Sequence, residues 1–181
     1  MDGDRIEVLS PDERAASIRL LVLDVDGVLT DGSIVYDYKG RQIQTFHVHD
    51  GLGIKLLQKA GIEVAIISAR RSDALARRAE ELGIEHLFQG AGKKADVFDR
   101  LLGRLGLESW QAAFVGDDWV DLPVMTRCGL AVAVSNARQE VKAHAHYVTS
   151  APGGCGAVRE VCELILAATG VLEACLKDFA G

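Results

Sequence analysis

Positive charge is in short supply. Lys and Arg number 20 against 26 Asp and Glu, a formal net charge of -6 with a pI near 5.3. Lacking a basic stripe, the chain is poorly suited to a general nucleic-acid surface. An acidic chain that takes up an anion has to gather positive charge at one place, through a metal ion or a few Lys and Arg side chains. Cysteine is sparse too. The four thiols, Cys128, Cys155, Cys162 and Cys175, form no C-x-x-C pair. At 181 residues the chain is long enough to fold without disulfide staples, so the thiols are read as reduced and the protein as cytoplasmic. No apolar run reaches membrane-spanning length, and no signal-peptide pattern opens the chain. Internal repeats, low-complexity tracts and linkers are lacking as well. What remains is the composition of an ordinary globular protein, 49% hydrophobic and 25% charged, expected as a single domain over 1–181.

Ser10-Pro-Asp-Glu13 reads as a capping box with Pro at the first helical position, which predicts a short lead-in helix to about Ser17. Continuous apolar runs follow at 20–23, 64–67, 112–115 and 130–134, with a weaker one at 146–148. Helical patterns fall between and after them, at roughly 51–60, 72–82, 93–105, 119–127 and 155–169. Apolar strands alternating with helices predict a doubly wound α/β parallel sheet, whose ligands collect at the carboxyl ends of the strands. One segment breaks the alternation. Residues 33–48 have β-rich arms around Lys39-Gly40, a hairpin inserted directly after the first strand.

Four elements carry chemistry, in order. Leu23-Asp24-Val-Asp26-Gly27 ends an apolar strand in two carboxylates, on a rim where a hard cation and a phosphate can meet. Ile66-Ile-Ser68-Ala-Arg70 ends another in a hydroxyl, Lys94 opens a helix after Gly90-Ala-Gly92, and Val115-Gly-Asp117-Asp118-x-x-Asp121 ends a third strand in acids. A carboxylate nucleophile approaching an anionic phosphate needs its charge cancelled, a task for Mg²⁺ with oxygen ligands. A Lys and a hydroxyl can hold the non-bridging phosphate oxygens, and an aspartyl-phosphate splits one difficult step into two. Asp-x-Asp-Gly alone is often only a turn; Ser68, Lys94 and Asp117 in the right order give it weight. Lys93 competes with Lys94 for the phosphate. The cluster Arg70, Arg71, Arg77 and Arg78 also reads as a solvated helix face. His144 and His146 are too closely spaced to align on a helix, and no third ligand completes a metal site. His47 and His49 read as polar edge residues, Cys155 as an unused thiol, and the helix at 158–168 as core.

This four-part order resembles the haloacid dehalogenase superfamily of phosphatases over about residues 20–150. The resemblance implies Asp24 as nucleophile and Asp26 as general acid/base. It implies Asp24, the Asp26 backbone carbonyl and Asp117 as Mg²⁺ ligands, supported through water by Asp121 and Asp118, with Ser68 and Lys94 holding phosphate. A closer resemblance is to the 3-deoxy-D-manno-octulosonate (KDO) 8-phosphate phosphatases of lipopolysaccharide precursor synthesis, and it extends to about residue 165. It rests on Asp24-Val-Asp-Gly-Val-Leu-Thr-Asp-Gly32, Phe46-His-Val-His-Asp-Gly-Leu-Gly53, Gly116-Asp-Asp-x-x-Asp121-x-Pro123-x-Met125 and Gly153-Gly-Cys-Gly-Ala-Val-Arg-Glu160. Two departures stand out. Ser68-Ala69-Arg70 replaces the usual Thr-Gly-Arg or Ser-Gly-Arg, and His47 and His49 replace Asn and a basic residue.

That family implies Arg70 and Arg78 as ligand contacts, guanidinium groups suited to the sugar carboxylate, and Arg159 reaching the site from a neighbouring subunit. Phosphatases for the related nine-carbon acid carry Glu at the Arg70 position and Lys at the Glu81 position, which favours the eight-carbon substrate here. No cap domain fits between the four elements. The family's tetramers close each site with a neighbour, so a homotetramer is expected, with Ile34, Tyr36, Ile43 and Phe46 of the hairpin buried in it. Alternatives are a phosphatase for a nonulosonate 9-phosphate or another phosphosugar, and a non-catalytic sugar-binding module. The complete acid set at 24, 26 and 117 speaks against the latter. A phosphate-receiving signalling domain fits poorly with Asp26-Gly27 and the hairpin.

Overall fold

The structure, a computed structural model, describes residues 9–180; residues 1–8 and 181 of the expected domain lie outside the described residues. In chain order, helix α1 (Pro11–Ala15) leads into strand β1 (Leu20–Leu23), a hairpin of β2 (Val35–Tyr36) and β3 (Gln42–Ile43), and helix α2 (Val48–Lys59). Next come β4 (Glu63–Ser68), α3 (Asp73–Leu82), β5 (His86–Gln89) and α4 (Lys94–Leu105). The remainder holds β6 (Ala112–Gly116), α5 (Leu122–Met125), β7 (Leu130–Ala133), α6 (Gln139–Ala143), β8 (Tyr147–Val148), α7 (Ala157–Ala168) and α8 (Leu172–Ala180).

Six strands pair in parallel in the order β5-β4-β1-β6-β7-β8. From β1 the chain runs outward through β4 to β5, then returns to the other side through β6, β7 and β8. The order reverses at β1, and such a switch point leaves a crevice at the carboxyl ends of the strands. Register fixes what lines it. Leu23 pairs with Ile66 on one side and Val115 on the other, so Asp24, Ser68 and Asp117 leave the sheet at nearly one level. Helices cover both faces, which is why Leu20–Leu23 are wholly buried and the strands read as unbroken apolar runs. Each large side chain fully buried here, such as Phe114 or Phe98, contributes about 1.5–3 kcal/mol relative to exposure.

Only the hairpin and α2 lie between β1 and β4, and only α3, β5 and α4 between β4 and β6, so no cap domain is inserted. The hairpin turn is held by the Asp37 carboxylate, which accepts the N–H groups of Lys39 and Arg41 at 2.8 and 2.9 Å. Gly40 supplies the left-handed residue with φ 75°.

Several elements depart from the sequence expectation. β5 was not among the apolar runs, because His86 and Gln89 interrupt an edge strand that is only partly buried. The helix expected at 119–127 is a 3-10 turn, Trp119–Asp121, followed by the short α5. The reason is local: the Asp121 carboxylate accepts the backbone N–H groups of Asp117 and Asp118, which bends the chain there. α2 starts at Val48 rather than 51, α6 was not expected, and the C-terminal segment divides into α7 and α8 around Gly170, φ 73°. The lead-in helix stops at Ala15, but its capping box of Ser10 and Glu13 forms as read.

Candidate active site

At the end of β1 the ladder continues one residue further, the Asp24 N–H donating to the Val115 carbonyl at 3.1 Å. The loop beyond is stapled by Thr30. Its hydroxyl donates to the Val25 carbonyl at 3.3 Å and accepts from the N–H groups of Gly27 and Gly32 at 3.4 and 3.3 Å. Gly27 has φ 88°, and a Cβ there would collide with the Asp117 carboxylate. A glycine is required twice over, by backbone conformation and by the approach of the acid. The glycine-rich loop before α7 packs onto the same segment. A Cβ on Gly153 would collide with the Gly27 carbonyl and one on Gly154 with the Thr30–Asp31 peptide, while the Gly154 N–H donates to the Val28 carbonyl at 2.9 Å. Gly153-Gly-Cys-Gly156 therefore backs the nucleophile loop within one chain.

Lys94 anchors the centre. Its Nζ lies 2.6 Å from Asp24 Oδ1 and 2.7 Å from Asp121 Oδ1, with all three side chains buried. Lys93, the α4 N-cap, is exposed, so of the two neighbouring lysines Lys94 is the one brought to the acids. The other Asp121 oxygen accepts the N–H groups of Asp117 and Asp118 at 3.0 and 3.3 Å, so both oxygens of this fully buried acid are engaged. Carboxylate oxygens of Asp24, Asp117 and Asp121 lie within 4.8 Å of one another.

Electrostatics follow from that crowding. Burial, then the Asp121 charge, push the Asp24 carboxyl up to about 7. Burial, then the charges of Asp121 and Asp24, push Asp117 up to about 7. Burial opposes the Lys94 ammonium, yet the Asp24 and Asp121 carboxylates outweigh it and hold Lys94 above its usual value. One ammonium among three carboxylates leaves net negative charge in a desolvated place. That hard-oxygen donor set fits a divalent ion such as Mg²⁺. No described backbone N–H donates to the Asp26 carbonyl, which is therefore available to the same ion.

The remaining nominated residues divide. Ser68 is buried at the end of β4, its hydroxyl accepting the Arg70 N–H at 3.2 Å. Asp26 turns toward the hairpin, with its Oδ1 3.4 Å from Gln44 Nε2 and its Oδ2 3.9 Å from Arg70 Nε. Arg70 Nη2 also donates to Gln42 Oε1 at 3.0 Å. Asp118 is exposed and accepts the Trp119 N–H at 2.8 Å, apart from the buried cluster. Arg78 packs over the Phe46 ring at 6.0 Å and lies 3.5 Å from Glu81, not beside the acids. Arg159 lies on α7 facing α2, its backbone N–H donating to Asp50 and its Nε to Glu163. His146 Nδ1 accepts the Ala131 N–H, a structural task. Gln42, Gln44 and Ser72 were missed by sequence reading, since only the folded-back hairpin brings them to Asp26 and Arg70.

A parallel sheet without a cap, bearing this acid, hydroxyl and lysine set at its switch point, defines a haloacid dehalogenase-like phosphatase, and a sequence profile of haloacid dehalogenase-like hydrolases matches residues 86–158. The chain is 49% identical over 161 residues to the 3-deoxy-D-manno-octulosonate 8-phosphate phosphatase KdsC of Yersinia pestis, covering 89% of this chain and 86% of that one. It is 47% identical to KdsC of Escherichia coli (strain K12), covering 88% and 85%. The chain belongs to the KDO 8-phosphate phosphatase family. Among solved structures, the Moraxella catarrhalis phosphatase in complex with magnesium ion, phosphate ion and KDO superposes with a TM-score of 0.92 at 41% identity, covering 93% of this chain and 97% of that one.

Proposed function

We propose that the protein hydrolyses KDO 8-phosphate to KDO and inorganic phosphate, as a phosphoric monoester hydrolase with Mg²⁺ as cofactor. The observation that carries this reading is the buried Asp24–Lys94–Asp121 ion cluster, with Asp117 beside it and Asp26 at its rim. An Asp24 oxygen attacks phosphorus in line, forming the Asp24 O–P bond as the bond from phosphorus to the sugar oxygen breaks. Asp26 delivers its proton to that oxygen. Asp26, now ionised, takes a proton from water, which attacks phosphorus and breaks the Asp24 O–P bond. Inorganic phosphate leaves and both acids return to their starting forms. Lys94 and Ser68 hold non-bridging oxygens throughout. When bound between Asp24, the Asp26 carbonyl and Asp117, Mg²⁺ would supply the charge that lets an anionic phosphate approach an anionic nucleophile. Asp121 supports the set by fixing Lys94 and the 117–118 turn.

Arg70, at the rim beside Asp26, is the group we assign to the sugar carboxylate; Arg78 would meet the same ligand only by leaving Glu81. The substrate assignment is tested by phosphate release across a panel of phosphosugars with Mg²⁺ present. The eight-carbon KDO 8-phosphate is expected to give a kcat/KM at least about tenfold above a nonulosonate 9-phosphate, the scale one well-made polar contact confers. A higher value for the nine-carbon ester would move the assignment to that substrate.

Assembly is the finer part of the reading. Ile34, Val35, Tyr36, Tyr38 and Ile43 stand exposed on a hairpin that, among the described residues, pairs with no other strand. A two-stranded ribbon is marginal alone, and exposed apolar side chains on both of its arms mark an association surface. We assign it to a homotetramer in which a neighbour closes each site. Light scattering is expected to give four times the 19.4 kDa chain mass, and Ile43→Asp to lower it; a monomeric mass for the unmodified protein would reject the assembly. No described helix is long and apolar enough to cross a membrane. All four cysteines are free, with Cys128 and Cys162 pushed up by burial, and this supports placing the protein in the cytoplasm.

A further inference from the structure

The hairpin does more than stand beside the site. Gln42 and Gln44 flank the exposed Ile43 and both turn inward, half-buried, Gln42 to Arg70 and Gln44 to Asp26. On the inner face Gln44 Nε2 donates to Asp26 Oδ1 at 3.4 Å, and Gln44 Oε1 accepts from the Ser72 hydroxyl at 2.6 Å. Ser72 is itself fixed. It is the α3 N-cap, its Oγ accepts the Leu75 N–H at 3.3 Å, and its own N–H donates to Gln89 Oε1 at 2.6 Å. Each polar group in this chain has one consistent role: with the Ser72 Oγ already accepting, its proton goes to Gln44 Oε1, which turns the Gln44 NH₂ to the carboxylate. Among the described residues no other hydrogen bond reaches the Asp26 carboxylate, and its ion-pair partner is Arg70 at 3.9 Å.

We propose that Gln44 is a positioning residue for Asp26, and that the hairpin sets the orientation of the proton-transfer group through the Ser72–Gln44–Asp26 chain. The Gln44 side chain makes no hydrogen bond to the buried acids or to Lys94. It holds one Asp26 oxygen and leaves the other, 3.9 Å from Arg70 Nε, to face the leaving oxygen. This inference rests on Asp26 as the acid/base. Loss of the amide leaves Asp26 several rotamers to sample, and a misplaced proton donor slows the step that needs it.

The test compares the unmodified protein, Gln44→Ala, Asp26→Asn and the double variant, each with Mg²⁺. Two substrates are used: the sugar phosphate, whose alkoxide leaves poorly without a proton, and p-nitrophenyl phosphate, whose phenolate leaves unaided. Gln44→Ala is expected to lower kcat/KM about tenfold on the sugar phosphate and less than threefold on p-nitrophenyl phosphate, within the range of general acid catalysis. On the Asp26→Asn background it is expected to cost nothing further, because the two act as a unit. Gln44→Glu, which keeps the length and the acceptor for Ser72 but offers Asp26 no donor, is expected to lose at least as much as Gln44→Ala. No loss in Gln44→Ala, equal losses on both substrates, or an additional loss in the double variant would overturn the proposal while leaving the hydrolase reading intact. Full activity in Asp26→Asn would instead remove the acid/base reading and this inference with it.

Discussion

Replacing Asp24 with Asn is expected to reduce phosphate release from the sugar phosphate by about 10⁴-fold or more, to a rate near background. The carboxamide is nearly isosteric but lacks the nucleophilic oxygen, so no aspartyl-phosphate can form and the binding groups Ser68 and Lys94 have no covalent step to assist. The fold should survive. Asp24 is buried against two other carboxylates, and a neutral side chain removes repulsion while Lys94 keeps its partner Asp121 at 2.7 Å. Thermal unfolding is therefore expected within a few degrees of the unmodified protein, or above it. The two readouts together separate loss of chemistry from loss of structure. Turnover within a few-fold of the unmodified protein would reject Asp24 as the nucleophile.

Asp24, Ser68 and Asp117 were readable because each ends an apolar run, and in a doubly wound sheet the ends of neighbouring central strands converge. Nothing but strand order and register is then needed to bring them together. Lys94 was readable only as one of two lysines. The choice is made by α4, whose first turn buries Lys94 and leaves Lys93 outside. The Gly153-Gly-Cys-Gly156 motif was visible, but its task is steric contact with Gly27 and Thr30, some 120 residues earlier in the chain, and no local pattern encodes that. Gln44 was invisible for a related reason. A glutamine on a hairpin arm looks like any solvated strand residue until the ribbon folds back over Asp26. β5 was hidden because edge strands bury less and tolerate His86 and Gln89. Arg70 and Arg78 sat in one basic cluster, and tertiary packing parts them, Arg70 to the rim and Arg78 onto Phe46.

Stripping divalent cations with EDTA is expected to abolish activity and to make the stability of the metal-free protein fall as pH rises from about 5 to 8. The sign follows from the two raised acids. Asp24 and Asp117 both sit at about 7 in the folded protein, against the 3.8 of an unperturbed Asp. Between those values the folded state holds protons that the unfolded state has released. Their contribution is fully present below the unfolded value and lost as pH climbs through 7. His146, held below its usual value by burial and then by the Arg14 charge, works in the opposite sense near pH 6. The decisive quantity is therefore the difference made by Mg²⁺, not the raw slope. A cation competes with protons for the same oxygens, so it should raise the unfolding temperature strongly at pH 8 and weakly at pH 5. At about one hundred times its Kd it adds about 2.7 kcal/mol, which for a chain of this size is a rise of roughly 5–10 °C. Asp117→Asn should remove most of that rise and flatten the pH dependence, whereas Asp118→Asn, at an exposed acid outside the buried cluster, should do neither. An equal Mg²⁺ effect at both pH values, or one that persists in Asp117→Asn, would place the ion somewhere other than between these acids.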